Sequence, residues 1–544
     1  GNERHARQSF SEAVALKPAD DRGWFGTGRI NTEKEEVRQG RENLLRALEL
    51  NSQGLGYQGE LGTLETYANN FAEARNAYKA ALERKPDDYV ALTGLGLLEL
   101  KRGNTEVALD AFLRSGTIEP RYARVHVYTA VAYYQMERVS QALEELRLAS
   151  QLDDKDPMPH FMTSIIYNDL MRPGDAIEAA RTALRLMPNL KSLNQLSSNQ
   201  RGTANLGQAF AFFGMEEWAQ NYAHESYNQF WAGSHLFLAD RYHGLFTKNS
   251  ELFQGFMADP TAIGNSNRNQ TLLQRPGHYF TASERATSAA KSFHGTSPLL
   301  QINGFNNDIV PFAYFANQER FNLKFDTGPS DLTFSNIAIG VKPRHDFGVL
   351  LFSNENANKF LLQGRLSGAS VDLRDGGRTT NHDIGLHYKL SPDSQIWFKA
   401  ASFGSSEDTF GSLDSVPITI RVKVRQPEYA LRHTFALGDG HEISWGAEQA
   451  NRKTASDFFS DVVLSPGLTF LQDYGYHEKT TDAYVSDRWR VTPRLLLQGD
   501  LFYQHQRRNA VYNTTAFFLG VPLLVFPTDI QNISKSKIQP RLGL

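Results

Sequence analysis

Residues Asn69–Asp88, NNFAEARNAYKAALERKPDD, contain the pattern that decides the fold of the first part of this chain. Ala74, Tyr78, Ala81 and Pro86 follow one another at spacings of 4, 3 and 5 residues, which places the first three on one face of a helix that the proline ends. The pattern recurs at multiples of 34 residues, as Ala6, Phe10, Ala13 and Pro18, then Ala108, Phe112, Ser115 and Pro120, and then Ala176, Ala180, Ala183 and Pro188. This period predicts stacked helix–turn–helix units.

A matching first helix precedes these second helices in the sequence. Gly28, Gly62 and Gly96 recur there at the same 34-residue period, and small residues allow helices to approach closely. This arrangement resembles the tetratricopeptide repeat family, and the resemblance covers residues 1–190. It implies an α-solenoid over 1–190, followed by degenerate repeats or capping helices over 191–260, a segment whose many aromatic residues could also form a docking surface.

The family resemblance implies that the repeats hold a peptide, a partner protein or a polymer in a superhelical groove. By analogy with the family, the concave positions of the first helices are Arg22, Phe25, Arg29, Tyr67, Lys101, Tyr134, Phe161, Asn168 and Asp169. Aromatic rings mixed with charged groups suit an extended peptide or a sugar polymer. An ordinary solvated surface is the alternative interpretation. Trp24, in contrast, is expected to pack in the core.

Composition narrows the possible functions. At 544 residues the chain is too long for one hydrophobic core, which predicts two or more domains. Its net charge of −3 offers no excess of basic residues for nucleic acid. The chain has no cysteine, which excludes disulfides and Cys-ligated zinc. We find no motif of an enzyme, a cofactor site or a metal site. Because the chain starts at Gly1 inside a repeat, we expect the natural N-terminus to lie outside this sequence, and the missing signal peptide is therefore uninformative.

Alternation of polar and apolar residues replaces the helical period beyond residue 300. In three stretches, one strand face is formed by Ile384, Leu386, Tyr388 and Leu390, by Tyr429, Leu431, His433, Phe435 and Leu437, and by Leu495, Leu497, Gly499, Leu501 and Tyr503. Segments of about ten residues with one apolar face are typical of membrane-spanning barrels, whereas strands of soluble sandwiches have about five or six residues. We therefore assign 301–544 to an antiparallel transmembrane β-barrel and 261–300 to a linker. The missing C-terminal aromatic residue suggests an incomplete barrel.

The predicted connections alternate in length along this region. Short turns are predicted at Gly328–Asp331, Ser353–Asn358, Ser391–Ser394, Gly438–His441 and Thr492–Arg494, and longer loops near 368–380, 404–417, 451–479 and 505–536. Outer-membrane barrels show this asymmetry, with short periplasmic turns and long external loops. We expect eleven strands from Glu319 onward and an earlier one within 298–316. The adjacent residues His382 and Asp383 are expected in a solvated loop.

Two stretches resemble a known barrel family. Ala483–Gln504, AYVSDRWRVTPRLLLQGDLFYQ, resembles a hairpin of TonB-dependent receptors, and Ile538–Leu544, IQPRLGL, resembles a strand that often follows it. Repeats joined to an outer-membrane barrel also resemble the exopolysaccharide export porins of Gram-negative bacteria. That resemblance implies an α + β multidomain chain with a tetratricopeptide repeat solenoid in the periplasm and a barrel in outer-membrane lipid.

The resemblances leave three functions open. The first is transport of a polymer, most simply polysaccharide export, in which the solenoid binds the polymer or a partner protein and feeds the barrel pore. The second is uptake of a ligand, as in TonB-dependent receptors. The third is a surface receptor or assembly scaffold that transports nothing. A globular plug with a TonB box would indicate energised uptake, and its absence would indicate export or diffusion.

Overall fold

The computed structural model describes most of both halves of the chain. The described residues are 3–33, 36–187, 210, 215, 217–219, 275–289, 293–325, 327–366, 369–413, 416–438, 440–462, 468–492, 495–519, 521–526 and 528–543.

Helices form the first half. In this described part they are α1 (Glu3–Leu16), α2 (Asp21–Glu33), α3 (Val37–Leu50), α4 (Tyr57–Tyr67), α5 (Phe71–Arg84), α6 (Tyr89–Lys101), α7 (Thr105–Ile118), α8 (Ala123–Gln135), α9 (Val139–Leu152), α10 (Met158–Asp169) and α11 (Pro173–Leu186). From α2 onward, even-numbered helices are the first and odd-numbered helices the second members of each unit, which confirms the predicted repeats.

Close contacts between a glycine and an aromatic ring join the two helices of a unit. A methyl group on Gly62 in α4 would lie 2.7 Å from the ring of Tyr78 in α5, and one on Gly96 in α6 would lie 2.5 Å from the ring of Phe112 in α7. Both rings are fully buried. The glycines of the repeat are therefore required by packing, because a side chain would occupy the space of the ring.

The turns after α4, α6, α8 and α10 each use one left-handed residue. Asn69, Gly103, Glu137 and Met171 all have positive φ, between 55° and 87°, and they are 34 residues apart. Only Gly103 adopts this conformation without a steric cost from a side chain. The repeat period is therefore present in the backbone conformation even at Asn69, Glu137 and Met171, where the residue is not glycine.

Trp24, which the sequence analysis placed in the core, is only half-buried. Its Nε1 donates a hydrogen bond to the carbonyl oxygen of Pro18 at 2.8 Å. The predicted capping segment 191–260 lies outside the described residues apart from 210, 215 and 217–219. Of these, Phe210 and Ala219 pack against Ala180 of α11.

Strands form the second half. In the described residues they are β1 (Gly277–Ala289), β2 (Phe293–Asn306), β3 (Phe312–Phe325), β4 (Gly328–Arg344), β5 (Phe347–Leu366), β6 (Ala369–Ser391), β7 (Ser394–Leu413), β8 (Val416–Leu437), β9 (His441–Val462), β10 (Leu468–Thr492), β11 (Leu495–Phe518), β12 (Val521–Val525) and β13 (Asp529–Gly543).

The strands pair in the order of the sequence. Each strand from β1 to β12 is antiparallel to the next, in one sheet. β12 and β13 both pair with β11, β12 along Thr515–Phe518 and β13 along Gln498–Tyr512. The described strands form an open sheet, with β1 at one edge and β12 and β13 at the other, which agrees with the predicted incomplete barrel.

The structure corrects several predicted boundaries. The sheet starts at Gly277, inside the predicted linker 261–300, and two strands precede β3 instead of one. The predicted turns Gly328–Asp331 and Ser353–Asn358 lie inside β4 and β5, whereas the turns at Ser391–Ser394 and Gly438–His441 are confirmed. Of the predicted turn Thr492–Arg494 only Thr492, the last residue of β10, is among the described residues. Most of the predicted long loops, 368–380, 404–417, 451–479 and 505–536, are strand. Polar residues and glycine dominate stretches such as 374–380 and 404–409, so the apolar alternation is lost there while backbone pairing continues.

Candidate functional site

The first helices of the units form one surface of the solenoid, which we call the first-helix face (α2, α4, α6, α8 and α10). Phe25 stacks on Tyr57 of α4, with ring centroids 4.2 Å apart. Arg29 forms an ion pair with Glu60 at 3.7 Å and is half-exposed. Arg22 is exposed and pairs with Asp20 of its own turn at 2.7 Å. The structure thus brings Phe25 and Arg29 together at one place, whereas Arg22 interacts only locally.

Other predicted groove residues serve the structure of the solenoid. Tyr67 is half-buried beside Leu64. The ammonium group of Lys101 contacts the carbonyl oxygen of Thr66 and the side chain of Asn69, each at 3.2 Å. These contacts connect consecutive units, so Tyr67 and Lys101 contribute to unit packing.

The predicted binding residues of the last units are buried. Phe161 is 1% exposed in the core, and Tyr134 is nearly buried and donates its hydroxyl hydrogen to Asp169. Asn168 is also buried. The prediction that Phe161 and Tyr134 lie on an open groove is therefore wrong. Tyr134 is covered in part by its contact with Asp169 of the next first helix.

Sequence reasoning missed Glu60, which lies next to Arg29. Burial raises the pKa of Glu60 to about 7, although the positive charges of Arg29 and Arg124 oppose this rise. Tyr89 and Tyr122 form an edge-to-face pair further along the first helices, with centroids 5.1 Å apart. The first-helix face therefore carries aromatic pairs and a partly protonated carboxyl group. Glu60, Tyr89 and Tyr122 could have been found in the sequence by their positions at or near the start of successive first helices.

A ladder of ion pairs joins consecutive units. Arg41 binds Glu65 through two hydrogen bonds of 2.5 and 2.7 Å, and Arg75 binds Glu99, with its shortest contact at 2.6 Å. Both carboxylates are also bonded at 2.6 Å by asparagines, which are Asn70 and Asn104. All these partners recur after 34 residues, so the sequence contained the pattern.

The solenoid touches the sheet through the turns that follow its first helices. Arg102 pairs with Asp308 in the connection between β2 and β3, and Asn307 donates to the carbonyl oxygen of Lys101 at 3.2 Å. Arg275 donates to the carbonyl oxygen of Gly103 at 3.1 Å. These contacts join one edge of the solenoid to one end of the sheet.

A cleft of about 570 Å³ lies along the same edge. It is lined on one side by residues of the solenoid, among them Arg41 and Asn70, and on the other by sheet turns that include Asp346 and Asp393. His345 is in one of these turns. Burial lowers its pKa to about 4, and the nearby positive charges of lysines and Arg41 add to this effect. His345 is therefore neutral near pH 7.

The inner face of the sheet carries buried polar side chains beside apolar ones such as Phe352 and Trp397, and the outer face is apolar next to the solenoid. Ile384 is 50% exposed, whereas the adjacent Asp383 is 3% exposed, and adjacent residues on a strand point to opposite faces. Asp383 forms an ion pair with Lys399 of β7 at 2.8 Å, and Gln395 is also buried. Asp383 is thus on the inner wall of the sheet, not in a solvated loop as its sequence suggested. Water-soluble proteins distribute polarity in the opposite way.

The exposed apolar residues form a belt, which we call the outer belt. It comprises Ile302, Ile337, Ile339, Leu351, Ile384, Tyr388, Leu390, Phe398, Tyr429, Leu431, Trp445, Val485, Trp489, Leu501 and Tyr503. The stretch Ile384–Leu390 of β6 covers about 20 Å along the strand, and the belt ends near the turns that contact the solenoid. Further from the solenoid the same face is polar, with Arg378, Arg425 and Lys479 exposed.

Among the described residues, no helix is long and apolar enough to cross a bilayer. No three or more His, Asp or Glu side chains of that part of the chain are grouped so that they could hold a metal ion.

Comparison with known proteins identifies the helical class. Residues 60–116 match the model of the tetratricopeptide repeat family. The helical half of this chain is thus built of helix pairs like those of tetratricopeptide repeats, and a large antiparallel sheet follows it. No curated protein sequence matches the chain.

Several solved structures are similar to parts of the chain at low identity. The ferric yersiniabactin uptake receptor FyuA from Yersinia pestis is 15% identical, with 49% of this chain and 44% of that chain covered and a TM-score of 0.41. The Cut9–Hcn1 complex of the APC/C is 14% identical, with 49% and 51% covered and a TM-score of 0.38. PilF of Pseudomonas aeruginosa is 16% identical, with 45% and 99% covered and a TM-score of 0.32. The chain thus spans about half or less of the first two proteins.

Proposed function

We propose that this protein is an outer-membrane transport protein whose solenoid binds a polymer or a partner protein and delivers the cargo to a β-barrel pore. The observation that carries the proposal is the polarity of the sheet, with Asp383 and Lys399 buried on the inner face and the outer belt exposed. A polar lumen and an apolar lipid-facing band of about 25 Å are properties of transmembrane barrels. In lipid the outer belt is solvated by hydrocarbon.

The contacts between the halves support an orientation. The outer belt adjoins the short turns that touch the solenoid, and the polar continuation of the strands lies on the far side. Short turns of bacterial barrels face the periplasm, and the long extensions face outward. We therefore place the solenoid in the periplasm, where it can pass cargo to the mouth of the pore next to Asp308 and His345.

Polysaccharide export is the transport function that we favour. The first-helix face offers the half-buried Phe25, which is stacked on the buried Tyr57, the ion pair Arg29–Glu60 and the pair Tyr89–Tyr122. Aromatic rings stack on the apolar faces of sugars, while polar groups bind hydroxyls. A peptide segment of a partner protein suits the same surface, since tetratricopeptide repeats bind proteins.

Insertion into the membrane tests the core of the proposal. The full chain should fractionate with outer membranes and migrate faster in detergent gels before heating than after. Val485→Arg, in the outer belt, should block insertion, because an arginine at the bilayer midplane costs about 2–4 kcal/mol. The neighbouring Ser486→Arg, on the inner face, should be tolerated. A monomer that stays soluble without detergent, or equal insertion of both variants, contradicts the proposal.

Ligand uptake is the second candidate, and the length of the strands favours it. β10 has 25 residues and β11 has 24, which is more than the roughly 9–11 residues needed to span a bilayer. Such extensions could form a binding surface outside the cell. Cargo that accumulates inside vesicles only when added on the side away from the solenoid would favour uptake over export.

A further inference from the structure

The inner face of the sheet carries a row of carboxamide side chains at one level. Gln301, Asn317, Asn336, Asn354 and Asn381 lie on β2, β3, β4, β5 and β6 in turn. Each is the direct cross-strand partner of the next. The row therefore crosses five neighbouring strands at right angles to them. We call these five residues the amide row.

Hydrogen bonds connect the central members of the amide row. Asn336 donates from Nδ2 to Oδ1 of Asn317 at 2.8 Å, and Asn354 donates in the same way to Asn336 at 2.6 Å. A carboxamide has two N–H groups and two acceptor lone pairs on its oxygen. Each of these two bonds uses one N–H and one lone pair. Three further bonds start from the row, since Asn354 also donates to Asn356 at 3.4 Å, Gln301 donates to Asn303 at 3.2 Å, and Asn381 donates to Asp383. Each amide oxygen still has a lone pair for a ligand, and all five side chains are half-buried and reachable from the inner face.

Aromatic rings border the row on the same face. Phe403 of β7 is the cross-strand partner of Asn381 and continues the row. Phe334 lies two positions from Asn336 on β4 and is more than one-third exposed. Planar amides beside exposed rings are the groups that suit sugars, because amides bond pairs of hydroxyls and rings cover the apolar C–H faces.

The charge of the wall decides which glycan fits. No member of the amide row is charged, and the carboxylate of Asp383, which accepts a hydrogen bond from Asn381, is already paired with Lys399. The same level of the sheet on β9, β10 and β11 carries Arg452, Glu478 and Arg508. Binding along the amide row would remove the charges of a charged polymer from water, and the row has no opposite charge to replace their hydration. A neutral polyhydroxylated chain carries no charge that must be desolvated.

We infer that the amide row is a binding site for a neutral, polyhydroxylated glycan chain on the lumen wall, selecting it over anionic or cationic polymers. This inference rests on the proposed function, since it assumes that cargo reaches the lumen. It goes further by naming the neutral class of the glycan and the residues that hold it.

A local reporter allows the site to be tested in the full chain. The chain has no cysteine, so Ser405→Cys, on the inner face beside Phe403, gives a single thiol for a small environment-sensitive fluorophore. Cellohexaose is the neutral probe and hexagalacturonate the anionic probe, both titrated into the labelled protein in detergent. We expect a saturable change with cellohexaose and a weaker response to hexagalacturonate.

Matched asparagine variants separate binding from folding. Asn336→Ala should weaken cellohexaose binding about five-fold, the equivalent of one net hydrogen bond of about 1 kcal/mol. Combining it with Asn317→Ala and Asn354→Ala should give about thirty-fold or more. The control is Asn322→Ala, on the same strand as Asn317 but on the opposite face, which should leave binding unchanged.

The outcomes that overturn the inference are distinct from failure of the proposed function. Absence of cellohexaose binding, tighter binding of hexagalacturonate, or equal effects of Asn336→Ala and Asn322→Ala would each refute the amide row as a neutral glycan site. If the protein still inserts into outer membranes in those cases, the proposed function survives. If it does not insert at all, the proposed function fails first.

Discussion

Arg41 donates two hydrogen bonds to Glu65, and the carboxylate of Glu65 is almost completely buried between two units of the solenoid. The same pair recurs as Arg75 and Glu99. In the preceding unit Arg7 pairs instead with Glu36, because positions 31 and 36 hold Asn and Glu where later units hold Glu and Asn. The Asn and the Glu have thus exchanged positions, and the ion pair is preserved because the arginine binds whichever of the two positions carries the carboxylate.

Removal of the arginine should destabilise the solenoid. Arg41→Ala leaves the carboxylate of Glu65 buried with Asn70 as its remaining partner, so we expect a loss of about 2–4 kcal/mol in the free energy of unfolding. Urea titrations followed by helical circular dichroism measure it. The control Arg46→Ala breaks the exposed pair with Glu49 and should cost less than about 0.5 kcal/mol. Equal losses in both variants would contradict the role of the buried pair.

Exchanging the residues at positions 65 and 70 should restore the stability that is lost when Glu65 alone is replaced. Glu65→Asn alone removes the carboxylate and should destabilise the solenoid by about 1–3 kcal/mol. Adding Asn70→Glu reproduces the arrangement of Asn31 and Glu36, and we expect most of the loss to be recovered. A double variant as unstable as the single one would show that the position of the carboxylate is fixed by more than Arg41.

Packing of Gly62 can be tested against another glycine in the same helix. Gly62→Ala places a methyl group 2.7 Å from the ring of Tyr78, which should cost about 1–3 kcal/mol. Gly59→Ala meets only Ala91, at 3.8 Å, and should stabilise the helix by up to about 1 kcal/mol. Thermal unfolding of the two variants should therefore shift in opposite directions.

Two histidines at equivalent positions should give opposite pH dependence. The hydrogen bond to Glu145 raises the pKa of His126, and burial lowers the pKa of His160, 34 residues later. The contribution of His126 to stability is present below its unfolded pKa of about 6.5 and is lost as pH rises through its folded pKa. For His160 the unfolded state binds more protons, so stability increases as pH rises toward about 6.5.

Single substitutions separate these opposing effects. His160→Gln leaves His126, and the midpoint of urea unfolding should then fall as pH rises above about 6.5. His126→Gln leaves His160, and the midpoint should rise up to that pH. If both variants show the same slope, one of the two environments is not as described.

A disulfide can report the contact between the two halves of the chain. A methyl group on Gly103 would lie 3.4 Å from Cβ of Pro276, close to the roughly 3.5–4.5 Å found in disulfides. Gly103→Cys with Pro276→Cys should therefore cross-link under mild oxidation, without interference from other thiols. Gly174→Cys with Pro276→Cys is the control, because Gly174 has no neighbour within 4 Å. Equal yields from both pairs would show that the halves do not dock at Gly103.

The sequence predicted the units well because their spacing reports packing directly. Gly62 and Tyr78 recur with the period of the backbone, and the same holds for the left-handed residues that follow α4, α6, α8 and α10. The open groove was predicted less well, because Phe161 and Tyr134 are buried. Tyr134 contacts Asp169 of the next first helix, and the pattern of a single repeat does not contain such a contact.

The strand ends were harder to predict than the strand faces. Ile384 and Leu431 were placed on the correct face, since the outer belt imposes strict alternation. Beyond the belt both faces meet water, so residues such as Arg378 and Lys479 carry no periodic signal while the ladder of backbone hydrogen bonds continues. The amide row was missed for a related reason, because its members are adjacent only after the register of five strands is known.

Pairing in sequence order has a consequence for how such a chain can change over generations. Each helical unit touches mainly its neighbours, and each strand from β2 to β11 pairs with the strands directly before and after it. Duplication or deletion of a 34-residue unit, or of one hairpin, therefore lengthens or shortens an array without rewiring distant contacts. The length of the solenoid and the number of strands in the sheet can thus change independently, provided that the contacts around Gly103 and Asp308 are kept.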